Sequence, residues 1–160
     1  MQPLYFVERE FPFPVERLWR AWTNSSELEK WYCPEYLSVI PGSANVEAVV
    51  GGTWAIAVDV SGNGFNAYFW GKYAEVDLHQ KLVHDLNYSQ DELEFALMEA
   101  TADAHRIEVD FTLTKDGTVV RFSQFGEMES EQAEASREGM ISYFDNLEKH
   151  LASTQIDEPS

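Results

Sequence analysis

The strongest constraint on the fold is a change of periodicity along the chain. Between residues 38 and 125, short β-branched and aromatic runs are separated by Pro-Gly, Gly-Gly, Gly-Asn-Gly and Asp-Gly turns. From about Ser130 to Leu151 the apolar spacing changes to that of a helix with one buried stripe. Antiparallel strands joined by hairpins and followed by one long amphipathic helix predict an α+β fold.

Two short helices are predicted after the first strand. That strand covers about residues 4–11, and the first helix begins near Pro14, because proline in a first turn gives up no hydrogen bond. Asn24 followed by Glu27 matches a capping box, which begins a second helix that Pro34 ends. Both helices carry an apolar stripe that must be buried.

The remaining strands are bounded by the turns. They are predicted at residues 38–40, 45–50, 53–60, 65–77, 81–88, 106–114 and 118–125. In the strand at 53–60, every second residue is large and apolar. We expect the opposite face to carry small side chains or to contact solvent. The pattern at 89–104 fits either a short helix or a flap.

Composition limits the classes of function. The 160 residues include 28 acidic and 11 basic side chains, for a net charge of −17, which disfavours nucleic acid as a partner. We expect a single domain over residues 1–154, a flexible tail over 155–160, no membrane span and a cytoplasmic location. Cys33 is the only cysteine, so no internal disulfide forms, and we expect it to be buried.

Metal and cofactor sites are not predicted. No phosphate-binding glycine loop or nucleophile elbow occurs. His79 and His84 are expected on opposite faces, which does not suit shared metal ligation. His84 could act in a cavity as an acid or base, but a structural histidine is more common, so no catalytic residue is assigned.

Several motifs together resemble the homologues of the Hsp90 ATPase activator, which belong to the START-like superfamily. They lie at residues 11–14, 18–23, 28–34, 51–54, 71–83, 138–140 and 143–151. The resemblance implies a helix-grip fold, in which about seven strands wrap around the C-terminal helix and leave a hydrophobic pocket. Cys33, Leu78 and Met140 depart from the common pattern and alter the lining or entrance of that pocket.

Candidate ligand-binding residues are those expected on the inner strand faces and on the long helix. They are Trp54, Ile56, Phe69, Trp70, Tyr73, Phe111, Phe122, Gln124, Met140, Tyr143, Phe144 and Leu147. The strand at 65–77 is aromatic on both parities, which leaves open whether Phe69 or Trp70 faces inward. Two interpretations of Gln124 are equally favoured: its amide binds a polar group of the ligand, or it is a core residue that hydrogen bonds to backbone.

The predicted function is binding of a small hydrophobic or aromatic molecule between sheet and helix, without catalysis. Two alternatives stay open, because superfamily members differ in activity and a fold does not fix a function. One is a cyclase or dehydratase acting on an aromatic or polyketide-like substrate. The other is a co-chaperone-like interaction domain, which the net charge disfavours for acidic partners. A homodimer is also left open.

Overall fold

An eight-stranded antiparallel sheet curls around the C-terminal helix in the computed structural model, which describes residues 2–154. The strands are β1 (Tyr5–Phe11), β2 (Ser38–Val39), β3 (Asn45–Val46), β4 (Thr53–Val60), β5 (Phe65–Asp77), β6 (Lys81–Ser89), β7 (His105–Leu113) and β8 (Thr118–Phe125). The helices are α1 (Val15–Thr23), α2 (Ser25–Trp31), α3 (Glu92–Leu97) and α4 (Ser130–Thr154). The predicted α+β helix-grip fold is confirmed; the predicted tail at 155–160 lies outside the described residues.

The sheet order is β1-β8-β7-β6-β5-β4-β2, and β3 also pairs with β4. The sheet has the eight strands that the sequence pattern predicts, whereas the resemblance implies about seven; β2 and β3 pair separately with the same edge of β4. β3 is shorter than the predicted 45–50. The chain turns away after Val46, where Glu47 and Val49 accept backbone hydrogen bonds from Val49 and Gly52, and this leaves Val49 and Val50 exposed.

Glu27 joins the two short helices to α4. Asn24 caps α2 by accepting a hydrogen bond from the Glu27 amide at 3.1 Å, as the capping box predicts. The Glu27 carboxylate accepts hydrogen bonds from Arg17 at 2.6 Å, Arg20 at 2.5 Å and His150 at 2.9 Å. Burial alone would raise the pKa of Glu27, but these three hydrogen bonds outweigh it and lower the pKa.

Two irregularities between β5 and β6 help the sheet to bend. A Cβ on Gly71 would lie 1.9 Å from the Asp85 carbonyl oxygen, so the two strands approach there as only glycine allows. The Asp85 carboxylate accepts the Lys72 amide at 2.6 Å in place of a backbone partner. The register then shifts by one residue between Tyr73 and Glu75, a bulge that increases local bending.

The main core lies between the inner sheet face and helices α1, α2 and α4. A smaller cluster forms on the outer face, where Phe95 of α3 packs against Tyr68 and Trp70. Ala55 and Ala57 of β4 are buried in this cluster, so the outer face of β4 is small, as predicted, but dry rather than wet. The segment 89–104, left open by the sequence, therefore contains a helix that covers the sheet.

Candidate ligand-binding site

A cavity of about 620 Å³ lies between the inner face of the sheet and α4. Its buried lining residues are Tyr5, Tyr32, Pro34, Phe122, Gln124 and Met140. Its half-buried lining residues are Phe69, Leu86, His105, Met128, Ser136, Gly139 and Tyr143. The exposed lining residues are Tyr88, Thr101, Asp103 and Gln132. They place the mouth of the cavity between the β6–β7 connection and the first turn of α4.

Five of the residues predicted from sequence line this cavity: Phe69, Phe122, Gln124, Met140 and Tyr143. They come from β5, β8 and α4, so the cavity lies where the predicted inner faces meet the helix. Phe69 faces inward and Trp70 faces outward, where its indole N–H donates to the Glu99 carbonyl at 2.9 Å. The question that the sequence left open at these two positions is thereby answered.

The other predicted residues lie in the core and do not line the cavity: Trp54, Ile56, Tyr73, Phe111, Phe144 and Leu147. The reason is that α1 and α2 fill one end of the space beneath the sheet. Phe111 packs on Trp19 of α1 with ring centroids 5.3 Å apart, and Phe144 contacts Trp22 at 6.5 Å. Strand parity distinguishes inside from outside, but it does not show which end of a strand a helix covers.

Several cavity residues were not predicted from sequence, above all Tyr5, Tyr32 and His105. One usable signal lies in α4, where Gln132, Ser136, Gly139 and Tyr143 follow each other at helical spacing. This second stripe of small and polar residues runs beside the apolar stripe. It marks the face that borders the cavity rather than the core.

Gly139 explains part of the space beside α4. A Cβ at this position would meet no atom within 4 Å, and the residue itself lines the cavity. Glycine in the middle of a helix lowers the stability of that helix. At this position the absent side chain leaves room for an occupant.

A chain of hydrogen bonds crosses the inner wall. The Tyr5 hydroxyl donates to Gln124 Oε1 at 2.6 Å, and Gln124 Nε2 lies 2.7 Å from His105 Nδ1. His105 Nε2 lies 3.2 Å from the Glu127 carbonyl oxygen, which can only accept, so the proton sits on Nε2 and Nδ1 accepts from Gln124. Gln124 is thus bonded to two side chains, which differs from both sequence interpretations.

Gly126 allows His105 to take this position. Its φ of +152° lies in a region that favours glycine, and a Cβ there would come within 2.4 Å of the His105 ring. The residue follows β8, so the start of the loop to α4 lies against the imidazole. The orientation of His105 is therefore fixed by backbone as well as by hydrogen bonds.

Burial controls the ionisation of the cavity phenols. It raises the pKa of Tyr5, Tyr32 and Tyr143 above the ordinary value, and neighbouring tyrosines add to the effect for Tyr5 and Tyr32. These hydroxyls keep their protons at neutral pH. The cavity therefore presents phenol O–H groups, and Asp103 is the one acidic residue among its described lining residues, which include no Lys or Arg.

The remaining reactive side chains named from sequence lie outside the cavity. His84 is 3% exposed and stacks on Trp54 at 4.2 Å, and burial lowers its pKa to about 4. Cys33 is buried, as predicted, and burial raises the pKa of its thiol. Within residues 2–154, no three His, Cys, Asp or Glu side chains are grouped as metal ligands would be. None of the helices in that range is both long and apolar enough to cross a bilayer.

Comparison with known proteins identifies the family. Residues 12–152 match the sequence profile described as Activator of Hsp90 ATPase homolog 1-like protein. The chain belongs to this family. The resemblance seen in the sequence is thus confirmed, and the helix-grip fold agrees with it. Among curated proteins, none matches the chain.

Several solved structures share the fold of this chain. The AHSA1 protein from Silicibacter pomeroyi superposes with a TM-score of 0.76 at 20% identity, over 92% of this chain and 96% of that one. A protein from Staphylococcus epidermidis gives 0.74 at 22% identity, over 93% and 89% of the two chains. A protein from Chromobacterium violaceum gives 0.75 at 19% identity, over 91% and 94%. At these identities the likeness concerns the fold alone.

Proposed function

We propose that this chain binds a small hydrophobic or aromatic molecule in the cavity between the sheet and α4, without chemical conversion. The observation that supports the proposal is the cavity itself, whose volume of about 620 Å³ falls within the roughly 300–1,000 Å³ of small-molecule sites. Its lining is mainly aromatic and aliphatic, with a few polar groups at fixed positions. Such a site gains affinity by burying apolar surface and by ring contacts.

The enzyme alternative rests on His105 and Tyr5, which line the cavity and belong to one hydrogen-bond chain. Both nitrogens of His105 are engaged, Nδ1 by Gln124 and Nε2 by the Glu127 carbonyl. An acid or base must have a nitrogen within reach of the substrate. This arrangement favours a structural role for His105 and supports binding rather than cyclase or dehydratase activity.

The family description also points to a chaperone partner, since it names an activator of the Hsp90 ATPase. Such a role would use the protein surface. The net charge of −17 would repel other acidic proteins at low salt. We therefore treat a surface function as the alternative that a failed binding test would favour.

A cavity-blocking variant tests the proposal. N-phenyl-1-naphthylamine, an uncharged probe that fluoresces strongly when buried, is titrated with the wild type, Gly139→Ala and Gly139→Phe. We expect saturable binding of one probe by the wild type and by Gly139→Ala, and at least a tenfold loss with Gly139→Phe, whose ring would occupy the cavity. Because a Cβ at Gly139 meets no atom, both variants should fold, which circular dichroism checks.

Equal binding by all three proteins would place the probe elsewhere and contradict the proposal. A lack of saturable binding by the wild type would also contradict it. Native mass spectrometry of freshly purified protein gives an independent test, since a copurified small molecule would show its mass directly.

A further inference from the structure

The hydroxyl groups of the cavity tyrosines differ in their partners. Tyr5 donates to Gln124, and Tyr88 accepts from Gln90 at 2.8 Å. Tyr32 and Tyr143 also line the cavity, but their hydroxyls form no hydrogen bond with any group in residues 2–154. Tyr32 is 4% exposed, but neither its hydroxyl oxygen nor that of Tyr143 is among the fully buried polar atoms that lack a partner, so both oxygens keep accessible surface. Two donors on residues that line the cavity are thus available to an occupant.

The two tyrosine rings belong to the same part of the cavity. The rings of Tyr32 and Tyr143 meet edge to face with centroids 5.0 Å apart. Their electrostatic interaction helps to raise the pKa of Tyr32, together with burial as the larger cause. Both groups keep their protons, so an occupant beside them is offered two O–H donors.

The charge of the lining restricts what can accept these hydrogen bonds. A carboxylate would lose its hydration without gaining a cation, since the described lining has no Lys or Arg, and Asp103 would repel it. A protonated amine carries donors alone and would leave both phenol protons without an acceptor. An uncharged oxygen, by contrast, accepts without the cost of burying a charge.

We propose that the occupant is an uncharged aromatic molecule whose carbonyl oxygen accepts hydrogen bonds from Tyr32 and Tyr143. This inference rests on the proposed function, because it names the class of ligand for the same cavity. The aromatic part packs against the rings and methionines of the wall. The carbonyl faces the wall formed by Tyr32 and Tyr143, and the hydrogen-bond chain from Tyr5 to Glu127 stays intact.

Three naphthalenes of nearly equal size test the inference by displacing N-phenyl-1-naphthylamine. They are the ketone 2-acetylnaphthalene, the hydrocarbon 2-isopropenylnaphthalene and the anion 2-naphthoate. The readout is the ratio of the ketone and hydrocarbon dissociation constants, measured in each variant. Comparing this ratio between variants cancels the different solubilities of the two compounds and any general loss of binding.

The variants Tyr32→Phe and Tyr143→Phe keep the ring and remove only the hydroxyl. We expect each to reduce the preference for the ketone about fivefold, the size of one net hydrogen bond. Tyr68→Phe is the matched control, because Tyr68 packs against Phe95 on the outer face of the sheet and does not line the cavity, and its ratio should equal that of the wild type. The wild type should bind 2-naphthoate more weakly than the ketone.

The outcomes separate this inference from the function on which it rests. An unchanged ratio in both Tyr32→Phe and Tyr143→Phe, or tighter binding of 2-naphthoate than of the ketone, overturns the carbonyl inference while cavity binding stands. The same holds if N-phenyl-1-naphthylamine binds and none of the naphthalenes displaces it. If the probe itself fails to bind the wild type, the proposed function fails as well.

Discussion

Tyr5 and Tyr32 both place a phenol in the cavity wall, yet of the two only Tyr5 has a hydrogen-bond partner within residues 2–154. The difference follows from their positions. Tyr5 lies on β1 opposite Gln124 of β8, whereas Tyr32 follows α2 among the rings of Trp22, Trp31 and Trp54. Removing the two hydroxyls should therefore have unequal effects on stability.

We expect Tyr5→Phe to lower the free energy of unfolding by about 1 kcal/mol, because it leaves Gln124 Oε1 without its donor. Tyr32→Phe should change it by less than about 0.5 kcal/mol, since no hydrogen bond to the described part of the chain is lost. Urea unfolding followed by fluorescence measures both values. An equal loss in the two variants would show that Tyr32 has a partner within the protein.

His84 should make stability depend on pH. Its pKa falls from an ordinary value of about 6.5 to about 4 on folding, with burial against Trp54 as the largest cause. The unfolded chain then binds the proton more readily than the native protein does. The stabilising contribution is full above about pH 6.5 and declines as the pH falls towards 4.

His84→Phe keeps a ring on Trp54 and removes the titration. Between pH 7 and pH 4.5 we expect the wild type to lose about 2 kcal/mol more unfolding free energy than the variant. Urea unfolding at the two pH values gives the difference directly, and carboxylates common to both proteins cancel. Parallel pH profiles would contradict a strongly lowered pKa at His84.

At the scale of elements, two glycines serve opposite purposes. Gly71 lies in β5, where a Cβ would come 1.9 Å from the Asp85 carbonyl oxygen of β6. Gly139 lies in the middle of α4, where a Cβ would meet no atom within 4 Å. The first glycine brings two strands together at the bend of the sheet. The second leaves space beside the helix.

Alanine at each position separates these roles. Gly71→Ala should destabilise the protein by about 3 kcal/mol, because backbone on both strands must move. Gly139→Ala should stabilise it by about 0.5–1 kcal/mol through helix propensity. Thermal and urea unfolding of the two variants measure the signs. A loss of stability with Gly139→Ala would mean that α4 packs more closely there than the structure shows.

The sequence predicted some elements well and others poorly, for physical reasons. β4, β5 and β8 have the predicted bounds, because each run of β-branched and aromatic residues begins directly after a glycine turn. β3 ends early because a local turn competes with pairing, and periodicity does not report that competition. The sequence of α3 shows no clear apolar stripe, because mainly Phe95 packs against the sheet, while Leu93 and Leu97 are exposed.

The cavity was predicted less completely than the fold. The alternation of residues along β8 correctly predicted that Phe122 faces inward, and the helical spacing in α4 predicted Met140 and Tyr143 as cavity residues. The same reasoning counted Phe144 among the site residues, although it packs against Phe11 and Trp22 in the core. A sequence pattern shows which face is buried, but whether that face meets a helix or an empty space depends on long-range packing.

On the scale of the whole molecule, the cavity arises because one long helix lies across a bent sheet. α1 and α2 fill one end of the space, and Glu27 holds both helices to α4 through Arg17, Arg20 and His150. At the other end, Gly139 and the connection before β7 leave the cavity open. The same architecture thus supplies a closed core and a binding site.

Methionine methyl NMR tests this account most directly, because the methionines report from different places. Met140 and Met128 line the cavity, whereas Met98 packs on the outer face of the sheet. On addition of 2-acetylnaphthalene to methyl-labelled protein, we expect saturable shifts of Met140 and Met128 and an unchanged Met98 signal. Shifts of Met98 alone, or saturable binding that leaves Met140 and Met128 unmoved, would contradict a ligand site between the sheet and α4.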